Sequence, residues 1–126
     1  MSSESLHIPR DRLSQAARLL HHAITSLKEE LDAVDWYRQR ADDTEDEALK
    51  QVLLHNMREE MEHACMLIEW LRRNDADFAE RADTYLYSTG MLTEVEAAAE
   101  AADPASTMPK PAVPAGGFTI GSLKRG

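Results

Sequence analysis

Two long stretches of the chain repeat apolar residues at alternating steps of three and four, the spacing that places side chains on one face of an α-helix. The series in the first stretch is Leu13, Ala17, Leu20, Ile24, Leu27, Leu31 and Val34. The second stretch has two parallel series: Leu49, Leu53, Asn56, Glu60, His63, Leu67 and Trp70, and beside it Met57, Met61, Ala64, Ile68 and Leu71. Patterns of this length predict two long amphipathic helices.

The segment between these stretches is short and acidic, and Thr44 followed by Glu47 has the spacing of a capping box. A short turn therefore joins the two helices, which predicts an antiparallel hairpin. A third, shorter helix contains Phe78 and Ala82 and ends near Gly90, where a glycine readily supplies a left-handed cap. The predicted fold is all-α.

The 126 residues are enough for one compact domain. We assign residues 1–93 to the helical domain. Residues 94–117, rich in alanine and proline, have the composition of a flexible linker. Residues 118–126 place Phe118, Ile120 and Leu123 on a short terminal segment, which is typical of a recognition peptide.

The formal net charge is −9, and residues 1–93 carry most of it, with 19 acidic and 11 basic residues. Such a surface repels nucleic acid and anionic membranes and attracts cations. Cys65 is the single cysteine, which excludes an intrachain disulfide and a thiolate zinc cluster and fits a reducing cytoplasm. The chain has neither a secretory signal pattern nor the roughly 20 consecutive apolar residues that a membrane span requires.

Three polar residues occupy positions in apolar rows. Glu60 and His63 are neighbours on one face of the second helix, and Glu30 interrupts a row of the first helix. Burying unpaired charges there costs several kcal/mol each, so a divalent cation is a fitting partner. Glu-x-x-His with a second glutamate is half of the di-iron carboxylate set of ferritin-like bundles. Two chains would complete a four-helix bundle with the metals at the interface, and the ligand types favour iron or manganese.

Other polar residues permit more than one reading. Glu59 and Glu62 are either a solvated face or carboxylates that assist the metal site. Tyr37 and Trp36 are packing residues by default, although a phenol two helical turns from Glu30 could shield or donate to the site. Three further histidines fit solvated or packed positions better than ligand positions: His21, His22 and His55.

The runs Glu29–Tyr37 and His55–Ala64, together with the terminal Ile120–Leu123 peptide, resemble the encapsulated ferritins of bacterial encapsulin nanocompartments. The resemblance covers nearly the whole chain. It implies a ferroxidase that oxidises Fe(II) with dioxygen at a di-iron centre, with two irons per dimer and iron stored as mineral inside the shell. The family assembles as a decamer of five dimers in the bacterial cytoplasm.

The resemblance also implies roles for individual residues. Glu30, Glu60 and His63 of each chain would be the metal ligands, with the catalytic Tyr37 and the neighbouring Trp36 close by. Glu29 and Asp32 would attract incoming metal, although the family usually has glutamate where this chain has Asp32. The residues of the encapsulin-targeting peptide would be Phe118, Ile120, Gly121, Ser122 and Leu123.

Two other functions compete with this hypothesis. The chain could be a non-catalytic helical cargo or adaptor protein whose acidic residues keep it soluble. Alternatively, the di-metal site could handle peroxide or use manganese, as in other carboxylate-bridged bundles. Bound iron, metal preference and dependence on the oxidant distinguish the three.

Overall fold

The structure of the chain is a computed structural model that describes residues 6–102. Within this range the chain is helical and contains no β-strand, which confirms the predicted all-α class. A 3₁₀ turn and four α-helices follow one another: Arg10–Arg12, α1 (Gln15–Asp43), α2 (Glu47–Asn74), α3 (Ala76–Tyr85) and α4 (Leu92–Ala102). None of these helices is both long and apolar enough to cross a membrane.

The chain divides into two compact units between Trp70 and Leu71. In the first unit, α1 and most of α2 form the predicted antiparallel hairpin. Glu30 and His63, from the middle of each helix, approach to 3.7 Å, which places the two helices side by side around the short link between them. The link consists of residues 44–46.

The rows of the hairpin are buried to different degrees. On α1, a row that contains Glu30 is buried or half-buried along its length: Leu20, Ala23, Leu27, Glu30, Val34 and Tyr37. By contrast, Ile24 and Leu31 of the first series are exposed. On α2, Met57 and Ala64 are buried, and the adjacent row that carries the polar residues is half-buried from Leu53 to Trp70, whereas its first member, Leu49, is exposed. The polar residues therefore lie at the margin of the packed face rather than at its centre.

The link between α1 and α2 is capped differently from the prediction. The Asp46 side chain accepts a hydrogen bond from the backbone N–H of Leu49 at 2.9 Å, as an N-cap residue does. Thr44 instead ends α1, and its hydroxyl accepts from the N–H of Asp46. Both residue types can cap a helix, and because α1 extends to Asp43, the N-cap of α2 lies at Asp46, two residues downstream of the predicted cap Thr44.

The second unit contains the end of α2, α3 and α4. Among the residues described up to Ala102, its buried residues are Leu71, Ala79 and Ala82. The Asp75 side chain caps α3 by accepting from the N–H groups of Asp77 and Phe78.

The end of α3 and the start of the linker differ from the prediction. Helix α3 ends at Tyr85, and Gly90, with φ of 93°, lies in the connection to α4 instead of capping α3. Helix α4 then occupies Leu92–Ala102, so helix extends into the first nine residues of the stretch assigned to a flexible linker. Alanine and glutamate are strong helix formers, and they outweigh the linker-like composition until the prolines begin. Residues 103–117 and the terminal peptide 118–126 lie outside the described residues.

Candidate metal centre

Three side chains of the hairpin converge on one point. His63 Nδ1 lies 3.1 Å from Glu60 Oε1 and 3.7 Å from Glu30 Oε1. One ligand atom from each of these residues lies within 4.8 Å of the other two. Among residues 6–102, this is the only group of three or more such side chains positioned to hold a metal ion.

The helices explain why these three residues meet. Glu60 and His63 are three residues apart on α2, so their side chains project from the same face on successive turns. Glu30 comes from the row of α1 that packs toward α2. The sequence placed all three in apolar rows, and the hairpin brings the rows together.

The proximity of the groups changes their protonation. Glu60 raises the pKa of His63 above its ordinary value, chiefly through the hydrogen bond between them and more weakly through its charge. Burial opposes this shift. The imidazolium form of His63 is therefore favoured while no metal is bound.

The two carboxyl groups titrate as a pair that shares a proton. The pKa of Glu30 is raised, mainly by its hydrogen bond to Glu60 and then by burial. The pKa of Glu60 is lowered, mainly by the same hydrogen bond, with a further contribution from the one to His63. Of the two carboxyl groups, Glu30 therefore keeps its proton to a higher pH than Glu60 does.

The cluster is accessible from one side of the hairpin. The side chains of Glu30 and Glu60 are about one quarter exposed, at 27% and 25%, and that of His63 is 42% exposed. Two carboxyl groups and an imidazole suit Fe, Mn or Zn, whereas Mg²⁺ seldom binds imidazole. The donor set fits a divalent transition metal, and the exposed side leaves coordination positions for ligands from elsewhere.

The structure places the other predicted site residues outside this cluster. Tyr37 is half-buried, and the guanidinium carbon of Arg40 lies 5.6 Å from the centre of its ring. Trp36 is 52% exposed. Glu29 and Asp32 are exposed on α1.

The contact between Arg40 and Tyr37 was missed by the sequence analysis. The two residues are three positions apart on a predicted helix, so their spacing would have indicated it. The remaining polar residues of α2 do not join the cluster. Glu62 is exposed, and His55 pairs loosely with Glu59 at 4.0 Å.

The fold and the cluster together define a ferritin-like helical protein with a carboxylate–histidine cluster that could hold a metal ion. Comparison with known proteins identifies the family, since the EncFtn-like family matches residues 5–89. The chain belongs to this family.

Individual relatives agree with the assignment. The chain is 52% identical, over 77% of its length and 69% of the relative's, to the encapsulated ferritin-like protein of Rhodospirillum rubrum. It is 34% identical to the encapsulin nanocompartment cargo protein EncC of Myxococcus xanthus, over 79% of this chain and 80% of that one. The crystal structure of protein ne0167 from Nitrosomonas europaea superimposes with a TM-score of 0.67 at 45% identity, and covers 69% of this chain and 96% of its own.

Proposed function

We propose that this protein is a ferroxidase, which oxidises Fe(II) to Fe(III) with dioxygen at a di-iron centre shared by two copies of the chain. The observation that carries the proposal is the convergence of Glu30, Glu60 and His63 on one accessible point. These three residues of each copy are the proposed ligands, and the iron is the substrate of the reaction.

The need for two copies follows from the ligand count. A ferritin-like di-iron site takes a glutamate from each of two helices and a Glu-x-x-His pair from each of two others. One chain supplies half of that set. Two copies that face each other across the exposed side of the cluster would supply all of it and hold two irons.

The apolar surface of the first unit supports such pairing. Large apolar side chains of both long helices are exposed in the single chain: Leu19, Ile24, Leu31, Trp36, Leu49 and Val52. Exposed apolar groups in this number usually mark an interaction surface. We propose that dimerisation covers part of them and that five dimers form the ring expected from the family resemblance.

The residues of the cluster have distinct tasks in iron binding. A proton on His63 or Glu30 must leave before the metal binds, since metals bind neutral imidazole and carboxylate, and the raised pKa of each group opposes that loss. Glu60 is already a carboxylate and is the first anionic ligand available. Each bound Fe(II) supplies one electron to dioxygen, and the negative ligands favour the Fe(III) product.

Four residues near the cluster have proposed supporting roles in iron entry and at the border of the centre. Glu29 and Asp32 are exposed carboxylates on α1, beside Glu30 in sequence, and would attract Fe(II) toward the centre. Tyr37 lies two turns from Glu30 on the same helix face, roughly 10 Å along the axis. We propose that Tyr37 and Trp36 border the centre once the second copy is present.

The encapsulin shell is the proposed partner. One relative is named as encapsulated and another as an encapsulin cargo protein. We propose that this chain works inside an encapsulin compartment and is loaded through residues Phe118–Leu123.

Deletion of residues 118–126 should abolish packaging when the shell protein is co-expressed, while Fe(II) oxidation by the free protein stays unchanged. Undiminished packaging after the deletion would contradict the targeting role.

Aerobic Fe(II) oxidation, followed optically, tests the ferroxidase proposal. The wild type should oxidise iron well above the buffer rate, Glu60→Ala should fall to that rate, and Glu59→Ala should match the wild type. Glu59 is the matched control because it is the adjacent carboxylate on α2 and lies outside the cluster. A wild type that assembles but oxidises iron no faster than buffer would favour the adaptor. A preference for Mn(II) or peroxide would favour the other di-metal chemistry.

A further inference from the structure

A second site lies in the first unit, on the N-terminal half of α1. A cavity of about 310 Å³ is lined by Leu6, Arg10, His21, His22, Thr25 and Ser26. None of these residues belongs to the metal cluster. Ser26 is one helical turn before Glu30, so the cavity is a neighbour of the cluster along the same helix.

The wall of this cavity is fixed by hydrogen bonds. Arg18 donates from Nη1 to the carbonyl oxygens of Arg10, at 3.1 Å, and Leu13, at 2.6 Å. Within the 3₁₀ turn, the N–H of Leu13 donates to the same carbonyl of Arg10. The Ser14 side chain then caps α1. These bonds hold the backbone of Arg10 against α1, so the cavity is preformed.

The chemistry of the lining is unusual for so acidic a protein. Arg10 is a permanent cation with several N–H donors, and His21 and His22 each have an imidazole that donates at least one hydrogen bond. Thr25 and Ser26 add hydroxyl groups. No carboxylate lines the cavity, although the chain as a whole carries a net charge of −9. This combination of donors attracts anions with several acceptor oxygens.

We propose that this cavity binds a small tetrahedral oxyanion of the phosphate class. The volume is at the lower end of the range for small-molecule sites, roughly 300–1,000 Å³, and accommodates a phosphate group with its waters. The centres of the His21 and His22 rings are 6.3 Å apart and tilted by 48°, and both residues line the same cavity. A metal is a poorer occupant, because no carboxylate is present to balance its charge.

Calorimetric titration of the metal-free, full-length protein with inorganic phosphate, at constant ionic strength, tests this proposal. Saturable binding is expected, and Arg10→Gln and His22→Gln should each weaken it at least about tenfold, as loss of a charge-assisted hydrogen bond does. Arg38→Gln is the control, since it removes one positive charge from an exposed position on α1 outside the cavity. It should change the affinity less than twofold.

The imidazole NMR signals of His21 and His22 provide a local readout. They should shift on phosphate addition in the wild type and in Arg38→Gln, and not in Arg10→Gln. A parallel titration with glycerol phosphate distinguishes a free ion from a phosphomonoester: binding assigns the site to the phosphate group in general, and its absence assigns it to the free ion. The proposal is overturned if phosphate does not saturate the protein, or if Arg38→Gln weakens binding as much as Arg10→Gln.

Discussion

Helix α2 carries two histidine–glutamate pairs that differ in their surroundings. His63 and Glu60 approach to 3.1 Å and have Glu30 of α1 beside them. His55 and Glu59 are 4.0 Å apart, with side chains 67% and 51% exposed, and no third ligand joins them. The residue types are the same, and both spacings place a pair on one helix face.

The difference between the pairs lies in the angular position of each on the helix. His63 and Glu60 belong to the row next to the buried Met57 and Ala64, so they point toward α1. His55 and Glu59 project into solvent. A Glu–His spacing alone therefore does not define a metal site. The pair also needs a residue of the neighbouring helix that faces it and can act as a third ligand. For each residue of the cluster, the same helix also carries a residue of the same type that lies outside the cluster. Substitutions of these outside residues serve as matched controls.

The largest expected contrast is between the two histidines. His63→Ala should reduce Fe(II) affinity and oxidation rate at least about tenfold, because loss of a ligand costs no less than loss of an outer-shell partner. His55→Ala should leave both unchanged. Fe(II) titration under anaerobic conditions and aerobic oxidation assays measure the two effects. Equal losses in both variants would show that the two pairs are equivalent.

A second contrast concerns the two glutamates and the proton on His63. The hydrogen bond to Glu60 is the main cause of the raised pKa of His63, and the charge of Glu59 is the weakest of several contributions. Glu60→Gln should therefore lower the pKa of His63 clearly, and Glu59→Gln only slightly. An NMR titration of the metal-free protein measures both.

The direction of this shift also fixes a pH dependence. Because the folded-state pKa of His63 is raised, its ion pair with Glu60 stabilises the metal-free fold at low pH, and this contribution is lost as the pH rises through the folded pKa. Iron binding shows the opposite trend, since the proton must leave first. If Glu60→Gln leaves the pKa of His63 unchanged, the hydrogen bond to Glu60 is not the cause of the raised pKa.

The sequence was sufficient for much of this picture, for identifiable physical reasons. The two long helices follow from apolar periodicity, and the three cluster residues were found because each interrupts an apolar row. The cap at Asp46 was missed because Thr44, two residues earlier, has similar capping ability. The end of α3 at Tyr85 was missed because Tyr87, with a φ of 65°, adopts the left-handed conformation just after the helix, where the sequence offers no glycine. Helix α4 was missed because the linker was assigned from the composition of residues 94–117 taken together. That average does not separate the alanine-rich helix from the proline-rich segment that follows it.

Other features depend on tertiary contacts that no local pattern contains. The proton shared by Glu30 and Glu60 requires two helices to meet. The cavity beside His21 and His22 requires Arg18 to hold the 3₁₀ turn in place. The sequence indicated no role for these two histidines because Leu6 and Arg10, which line the same cavity, precede α1 in the chain.

The smallest expected effect separates Glu30 from its exposed neighbour Glu29. The pKa of Glu30 is raised because it shares a proton with Glu60 and is partly buried, so ionising it at neutral pH costs free energy in the metal-free protein. Glu30→Gln removes this cost and can still donate a hydrogen bond to Glu60. Its unfolding free energy should exceed that of the wild type by about 1 kcal/mol or less, while iron oxidation is lost.

The pH dependence identifies the cause of this stabilisation. A raised folded-state pKa means that the Glu30 contribution is present at low pH and is lost as the pH rises through that pKa. The advantage of Glu30→Gln in urea unfolding should therefore grow as the pH rises through the pKa of Glu30 and vanish in acid. Glu29→Gln, at an exposed position, should stay within about 0.5 kcal/mol of the wild type at every pH. A Glu30→Gln protein that is less stable than the wild type at neutral pH would contradict this prediction. It would show that Glu30 stabilises the fold, and that ionising Glu30 carries no electrostatic cost that metal binding has to offset.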